Sequence, residues 1–207
     1  MKKRLLRVLA IDLNTRGFGF VVIEGSDHLI DWGLRDIREE KERNTLEKVD
    51  DLIRLYRPSV IVVEDIDDPS SRRGPRIEKT LRQVAELATQ RRVSLRRVST
   101  AKMRGVFARQ GARNKHEIAG VIVARFPELG LYRPPKRRLW MSEDQRQAVF
   151  DAAAMVVGCP SPTECENPNH VWLGLGNSAG PGRTPKAPQS PHPGPHPRKG
   201  TRISLNH

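Results

Sequence analysis

The sequence predicts an α/β domain built on a mixed five-stranded sheet flanked by helices, with a disordered, proline-rich C-terminal tail. Three observations carry that prediction. Two β-rich apolar runs stand close together near the N-terminus, over 5–12 and 17–24. A continuous β-branched run, Val60-Ile61-Val62-Val63, lies between two segments of helical spacing. Ten of the 16 prolines crowd into 159–207.

The runs 5–12 and 17–24 are separated by Leu13-Asn14-Thr15-Arg16 and read as a hairpin, with Gly17 and Gly19 allowing close backbone approach near the turn. Residues 29–37 add a third strand. From Glu42 to Tyr56 the apolar residues Leu46, Val49 and Ile53 fall on one helical stripe, which has to end before Pro58. The run from Val60 to Val63 lacks polar alternation, as suits a strand covered on both faces, and it stops in the acidic stretch Glu64 to Asp68. A helix over about 76–90, a strand near 94–98 and helices near 100–108 and 115–126 follow. For the last helix, Ser142-Glu143-Asp144-Gln145 has the capping-box form, with Ser142 at the N-cap and Asp144 at N2. Ala148, Val149, Ala152, Met155 and Val156 then supply apolar faces through Val157. A meander followed by right-handed crossovers gives a mixed sheet with helices on both sides.

With 207 residues, 37 % of them hydrophobic, the chain can bury one good core rather than two. The expected organisation is a folded domain over 1–158 and a disordered tail over 159–207. In the tail, prolines remove backbone donors and too few apolar residues remain to offset the entropy of ordering. The net charge is +13, and the tail holds five Lys/Arg against two Glu, so most of the excess belongs to the folded part. Such a balance points to a polyanionic partner, nucleic acid above all. Cys159 and Cys165 are too few for a disulfide framework. The opening apolar run is broken by Arg7 and has no small-residue cleavage site, unlike a signal peptide. No stretch approaches the roughly 20 apolar residues of a membrane span. A soluble, cytoplasmic, nucleoid-associated protein is expected. The absence of G-x-x-x-x-G-K-[ST] and G-x-G-x-x-G loops argues against nucleotide binding by those routes. Cys159, Cys165 and His170 lack an evident fourth zinc ligand, and His192 and His196 stand isolated.

Three carboxylates mark the polar ends of apolar elements. Asp12 follows Leu9-Ala10-Ile11, Glu64 follows Val60 to Val63, and Asp151 interrupts the last helix. An acid embedded in an apolar run is costly unless it is paired or bound to a cation. Gathering several adds repulsion, which a divalent ion relieves. Mg²⁺ and Mn²⁺ favour such oxygen ligands. Two such ions can activate a water and stabilise the leaving oxygen of a phosphodiester. Taken singly, Asp12 also reads as a turn residue, Glu64 as a strand-end acid and Asp151 as a salt-bridge partner. Their joint placement favours the metal reading.

At these residues the chain resembles the RuvC-like branch of the ribonuclease H-like superfamily. The first match is Val8-Leu-Ala-Ile-Asp12 with the glycine-containing strand that follows. The second is Val60-Ile-Val-Val-Glu64, and the third is Phe150-Asp151-Ala-Ala-Ala-Met155. Gly111-Ala-Arg-Asn-Lys-His-Glu117 is a weaker echo of a glycine- and lysine-containing stretch. The resemblance spans 7 to 157. It implies a ribonuclease H-like fold, Mg²⁺ or Mn²⁺ held by Asp12, Glu64 and Asp151, and a homodimeric endonuclease acting on junction DNA. One departure stands out. Family nucleases commonly carry a further acid or histidine three residues before the final aspartate, where this chain has Ala148. Asp144, seven residues before Asp151, is the nearest replacement, or else simply complements the helix dipole.

From Arg91 to Lys115 there are nine Lys/Arg and no acid. Together with neighbouring clusters, this predicts nucleic-acid contacts by Arg16, Arg72, Arg73, Lys102, Arg104, Arg113, Lys115, Arg137 and Arg138. Such phosphate contacts are independent of sequence and sensitive to salt. Trp140 is either a base-stacking residue or part of the core. The expected activity is metal-dependent cleavage of DNA, branched DNA in particular. The alternatives are a catalytically weakened nucleic-acid-binding module of the same fold, favoured by Ala148, and an RNA-processing nuclease. An actin-like ATPase shares the opening strand but needs a second glycine-rich phosphate motif, which is not visible here.

Overall fold

The first strand runs two residues further toward the turn than its apolar run suggested, while the second has the expected bounds. In the computed structural model, β1 (Arg7–Asn14) pairs antiparallel with β2 (Gly17–Glu24) from Arg7↔Glu24 to Asn14↔Gly17. Asp12 is therefore inside the strand rather than at its end. Leu13 continues the pairing because it lies opposite Phe18 and both are buried. The Asn14 side-chain oxygen accepts the Arg16 amide at 2.8 Å and closes a two-residue turn. Gly17 has φ +148°, and a Cβ there would collide with the Arg35 carbonyl on the neighbouring strand.

β3 (His28–Asp36) continues the antiparallel meander beside β2. β4 (Val60–Glu64) then pairs parallel with β1, and β5 (Ser94–Val98) pairs parallel with β4. The sheet order is β3-β2-β1-β4-β5, the mixed five-stranded sheet the sequence predicts. All five residues of β4 are buried, as its unbroken β-branched run requires.

The pleat sorts alternate side chains to opposite faces. Leu9, Ile11, Phe20 and Ile61 pack against Val49, Leu52 and Ile53 of α1 (Lys41–Tyr56) and Leu81 and Val84 of α2 (Pro75–Gln90). Val8, Ala10, Val60 and Val62 face the other way. They meet Phe107 of α3 (Thr100–Arg109), Ile122 of α4 (Lys115–Arg125) and Phe150 of α5 (Gln147–Val157). A 3₁₀ segment, Pro127–Tyr132, which the periodicity did not reveal, buries Leu129 between α4 and α5 in the chain.

The structure corrects the start of the last helix. α5 begins at Gln147, and its N-cap Arg146 makes no side-chain cap bond. The Asp144 carboxylate accepts the Arg146 backbone amide at 2.9 Å and its guanidinium at 2.7 Å. A local side chain-to-backbone turn has outcompeted the capping box there. Capping-box chemistry appears instead at α4, where Asn114 and Glu117 satisfy each other's backbone amides.

The structure describes residues 6–138 and 140–158, so the expected tail and its Cys and His residues lie outside the described residues. No helix among the described residues is long and apolar enough to cross a membrane.

Gly19 lies directly opposite Asp12, and a Cβ there would stand 2.6 Å from the Ala148 carbonyl oxygen. The first turn of α5 therefore rests on the bare backbone of β2. Gly19→Ala is expected to cost about 1–3 kcal/mol, the usual penalty for overpacking, as measured by urea unfolding. A change below about 0.5 kcal/mol, typical of an unconstrained surface site, would contradict this packing.

Candidate functional site

On β1, Val8, Ala10 and Asp12 point to one face; on β4, Val60, Val62 and Glu64 point to the same face. Ala10 is paired with Val62, so two residues further along both strands Asp12 stands beside Glu64. This face is the one α5 covers. Because Gly19 admits the Ala148 backbone next to Asp12, Asp151 follows one helical turn later over the same spot. Asp12, Glu64 and Asp151 thus line one pocket, joined by Glu143 and Asp144 from the segment entering α5. Asp12 and Glu64 are 5 % and 8 % exposed, and Asp151 is half-buried.

Buried charge of this density is partly balanced by neighbouring side chains. Arg73, from the segment joining β4 to α2, donates Nε to Glu64 Oε2 and Nη2 to Asp12 Oδ1. Its Nη1 donates to the Leu13 carbonyl at 2.7 Å. The other Glu64 oxygen accepts hydroxyls from Thr100 at 3.1 Å and Ser71 at 3.3 Å. Asp151 accepts from Lys115 Nζ at 2.8 Å and from Gln147 Nε2 at 2.9 Å, and Lys115 also reaches Glu143 at 2.7 Å.

These contacts do not fully offset the burial. Desolvation pushes the Asp12 carboxyl up to about 7; Arg73 pulls it down, while the nearby charge of Asp151 pushes it further up. Burial also works against the charged forms of Arg73 and Lys115. Asp12 and Glu64 outweigh it for Arg73, and Asp151 and Glu143 outweigh it for Lys115, so both are held above their ordinary values.

Among the described residues, no three His, Cys, Asp or Glu side chains stand close enough to hold a metal ion between them. Asp12 and Glu64, however, converge on a single guanidinium. One or two carboxylates completed by waters are enough for Mg²⁺. When all four are ionised, the carboxylates of Asp12, Glu64, Asp151 and Glu143 face two cations, Arg73 and Lys115, a deficit of two charges. By donor chemistry the Asp12–Glu64 pair fits a divalent cation; in this structure Arg73 bridges the two carboxylates.

The basic residues expected to meet nucleic acid divide into groups. Arg16, Arg72 and Arg104 are exposed and line the pocket rim. Arg73 and Lys115 turn inward to the carboxylates. Lys102, Arg113, Arg137 and Arg138 are exposed outside the pocket lining, with Arg137 bonded to the Met141 carbonyl at 2.7 Å. Part of the acid-free run is structural, since Arg91 pairs with Asp50 at 2.5 Å and Arg97 with Asp67 at 2.6 Å. Trp140 is 78 % exposed, with the Arg138 guanidinium 5.7 Å from its ring centre, which removes the core alternative. Asp144 is held by Arg146, whose hydrogen bonds keep its carboxyl below the usual range. Ser71, Thr100, Glu143 and Gln147 were not foreseen as site residues. Only Gln147, four residues before Asp151 on one helix face, carried a usable signal.

Sheet order, strand directions and helix placement together give the RuvC-like fold that the motifs predict, a mixed five-stranded sheet flanked by helices. Two solved structures share it. Thermus thermophilus RuvC matches with a TM-score of 0.55 at 18 % identity over 74 % of this chain and 92 % of that one. T. thermophilus RuvC in complex with Holliday junction substrate gives 0.52 and 17 % over 74 % and 91 %. No protein-family model matches this chain, and neither does a curated protein.

The raised Asp12 carboxyl makes a pH prediction. The folded state holds this proton up to about pH 7, whereas the unfolded chain releases it from its ordinary value of 3.8. The stability gained from the proton is present below about pH 4 and is lost as the pH rises through about 7. Asp12→Asn stays neutral. It is expected to melt above the parent at about pH 8 and alongside it near pH 4, as followed by thermal unfolding. A variant less stable than the parent at the higher pH would show that Arg73 outweighs burial.

Proposed function

We propose that this chain is a divalent-metal-dependent endonuclease that hydrolyses DNA phosphodiester bonds, preferentially in branched or junction DNA. The observation that carries this reading is the pairing of Asp12 and Glu64 across two parallel strands, with Asp151 brought over them by α5, inside a rim of exposed arginines. Asp12, Glu64 and Asp151 would hold Mg²⁺ or Mn²⁺, and Asp144 stands at hand on the same pocket wall. Bound there, such ions supply Lewis-acid activation of water and stabilisation of the leaving oxygen. Arg16, Arg72 and Arg104 hold the phosphates beside the acidic centre, which would otherwise repel the backbone. Lys102, Arg113, Arg137 and Arg138 extend that surface, and Trp140 offers its ring to an unpaired base. The choice of branched DNA draws support from the structural neighbour described in complex with Holliday junction substrate.

A second reading has its own support. Arg73 and Lys115 already pair with the carboxylates, and Ala148 offers no ligand, as a nucleic-acid-binding module with a degraded metal site would have it.

Incubation with labelled four-way junction, duplex, single-stranded DNA and RNA, in Mg²⁺, Mn²⁺ or EDTA, separates the readings. We expect junction cleavage that EDTA abolishes. Asp12→Asn and Glu64→Gln should each reduce it by at least about 100-fold, the scale of losing a group that stabilises transition-state charge. Salt-sensitive binding without cutting in either metal would leave the binding module; preferential cutting of RNA would move the substrate class. Arg72→Ala and Arg104→Ala should weaken binding across sequences and lower the salt slope by about 0.9 for each phosphate no longer neutralised, measured by fluorescence anisotropy. An unchanged slope would take these residues off the interface.

A further inference from the structure

Two arginines adjacent in sequence behave differently at this site. Arg72 is exposed on the rim, whereas Arg73 is half-buried and spends Nε, Nη1 and Nη2 on Glu64, the Leu13 carbonyl and Asp12. The flat guanidinium fork, which elsewhere recognises a phosphate, here has each of its three nitrogens bonded to one of the protein's own oxygens.

We propose that Arg73 is a resident stand-in for the divalent ion: it neutralises the Asp12–Glu64 pair when no metal is bound, and a metal ion enters that pair only by displacing it. The inference rests on the metal role proposed above for these two carboxylates and concerns what this chain's own guanidinium does there.

The same two oxygens are at stake. Arg73 bridges Asp12 Oδ1 and Glu64 Oε2, and a cation shared by the pair needs those oxygens too. A guanidinium and a divalent ion cannot both sit between them, because like charges at such distances in a buried site repel strongly. Exchange is favoured by charge. Replacing one positive charge by two cuts the deficit of the inner cluster from two charges to one. Exchange is also sterically open. Arg73 lies on the segment between β4 and α2 rather than on a helix or strand, and a Cβ added at Gly74 beside it would meet nothing within 4 Å. A released Arg73 joins Arg72 on the rim, where a phosphate is held. Lys115 is differently placed. It starts α4 and ties Asp151 to Glu143, so Asp151 keeps a cation when Arg73 leaves.

The test measures metal binding rather than cleavage. Full-length parent, Arg73→Gln, Arg73→Lys and Asp12→Asn are titrated with Mn²⁺, free and bound ion being read by electron paramagnetic resonance. Each protein is also melted in EDTA and in Mn²⁺. A site masked by an internal competitor has its affinity reduced by the fraction of time it is open. Arg73→Gln is therefore expected to bind Mn²⁺ at least about tenfold more tightly than the parent. Arg73→Lys, which keeps the charge but reaches one carboxylate at a time, should fall between them. Asp12→Asn should lose the site. In EDTA, Arg73→Gln should melt below the parent, with Mn²⁺ closing the gap. If Arg73→Gln folds only in Mn²⁺, that supports exchange, and the lysine variant then carries the affinity comparison. Equal or weaker Mn²⁺ binding by folded Arg73 variants overturns the proposal. Tighter binding without cleavage by any variant keeps Arg73's role and rejects the nuclease reading; cleavage with unchanged Mn²⁺ affinity does the reverse.

Discussion

Asp12 and Glu64 stand at one level on adjacent parallel strands, on the sheet face that α5 covers, and both are almost wholly buried. Two carboxylates removed from water side by side carry a desolvation cost that no hydrophobic contact can return. Their neighbours answer that cost. Arg73 bridges the pair, Thr100 and Ser71 hydrogen-bond the free oxygen of Glu64, and Lys115 balances Asp151. Even so, burial leaves Asp12 pushed up to about 7. This buried acidic cluster and the rim of Arg16, Arg72 and Arg104 around it are the two features on which the proposed polyanion site rests.

The geometry that creates the cluster depends on very small things. A two-residue period on β1 and β4 sends both acids to one face. A residue without a side chain, Gly19, stands opposite Asp12 and lets the first turn of α5 rest on the β2 backbone at Ala148. Asp151 comes over the pair because of that approach. Ala148 is therefore more than a missing ligand. Its backbone sets the height of α5 above the sheet, and its short side chain keeps the pocket open beside Asp12.

Much of the fold was legible because its signals are local. An unbroken β-branched run means a central strand, and helical stripes bounded by proline mean crossover helices; both hold here. The acids were legible because each interrupts an apolar element. The roles of the cations were not. Nothing in the sequence tells Arg73 from Arg72, since the direction each takes depends on how the segment after β4 crosses the sheet edge. Lys115 looked like one more member of a basic run until α4 set it beside Asp151. The start of α5 illustrates a real competition: Ser142 can cap a helix with Asp144 inside its first turn, or Asp144 can close a turn onto Arg146, and the structure has the turn.

The most direct test of the central claim is a crystal of the full chain soaked in Mn²⁺, with anomalous scattering recorded at the manganese edge. The account predicts a peak touching oxygens of both Asp12 and Glu64, with the Arg73 side chain turned out toward the rim. A difference map with no peak at the pair, and Arg73 still bridging both carboxylates, would contradict it.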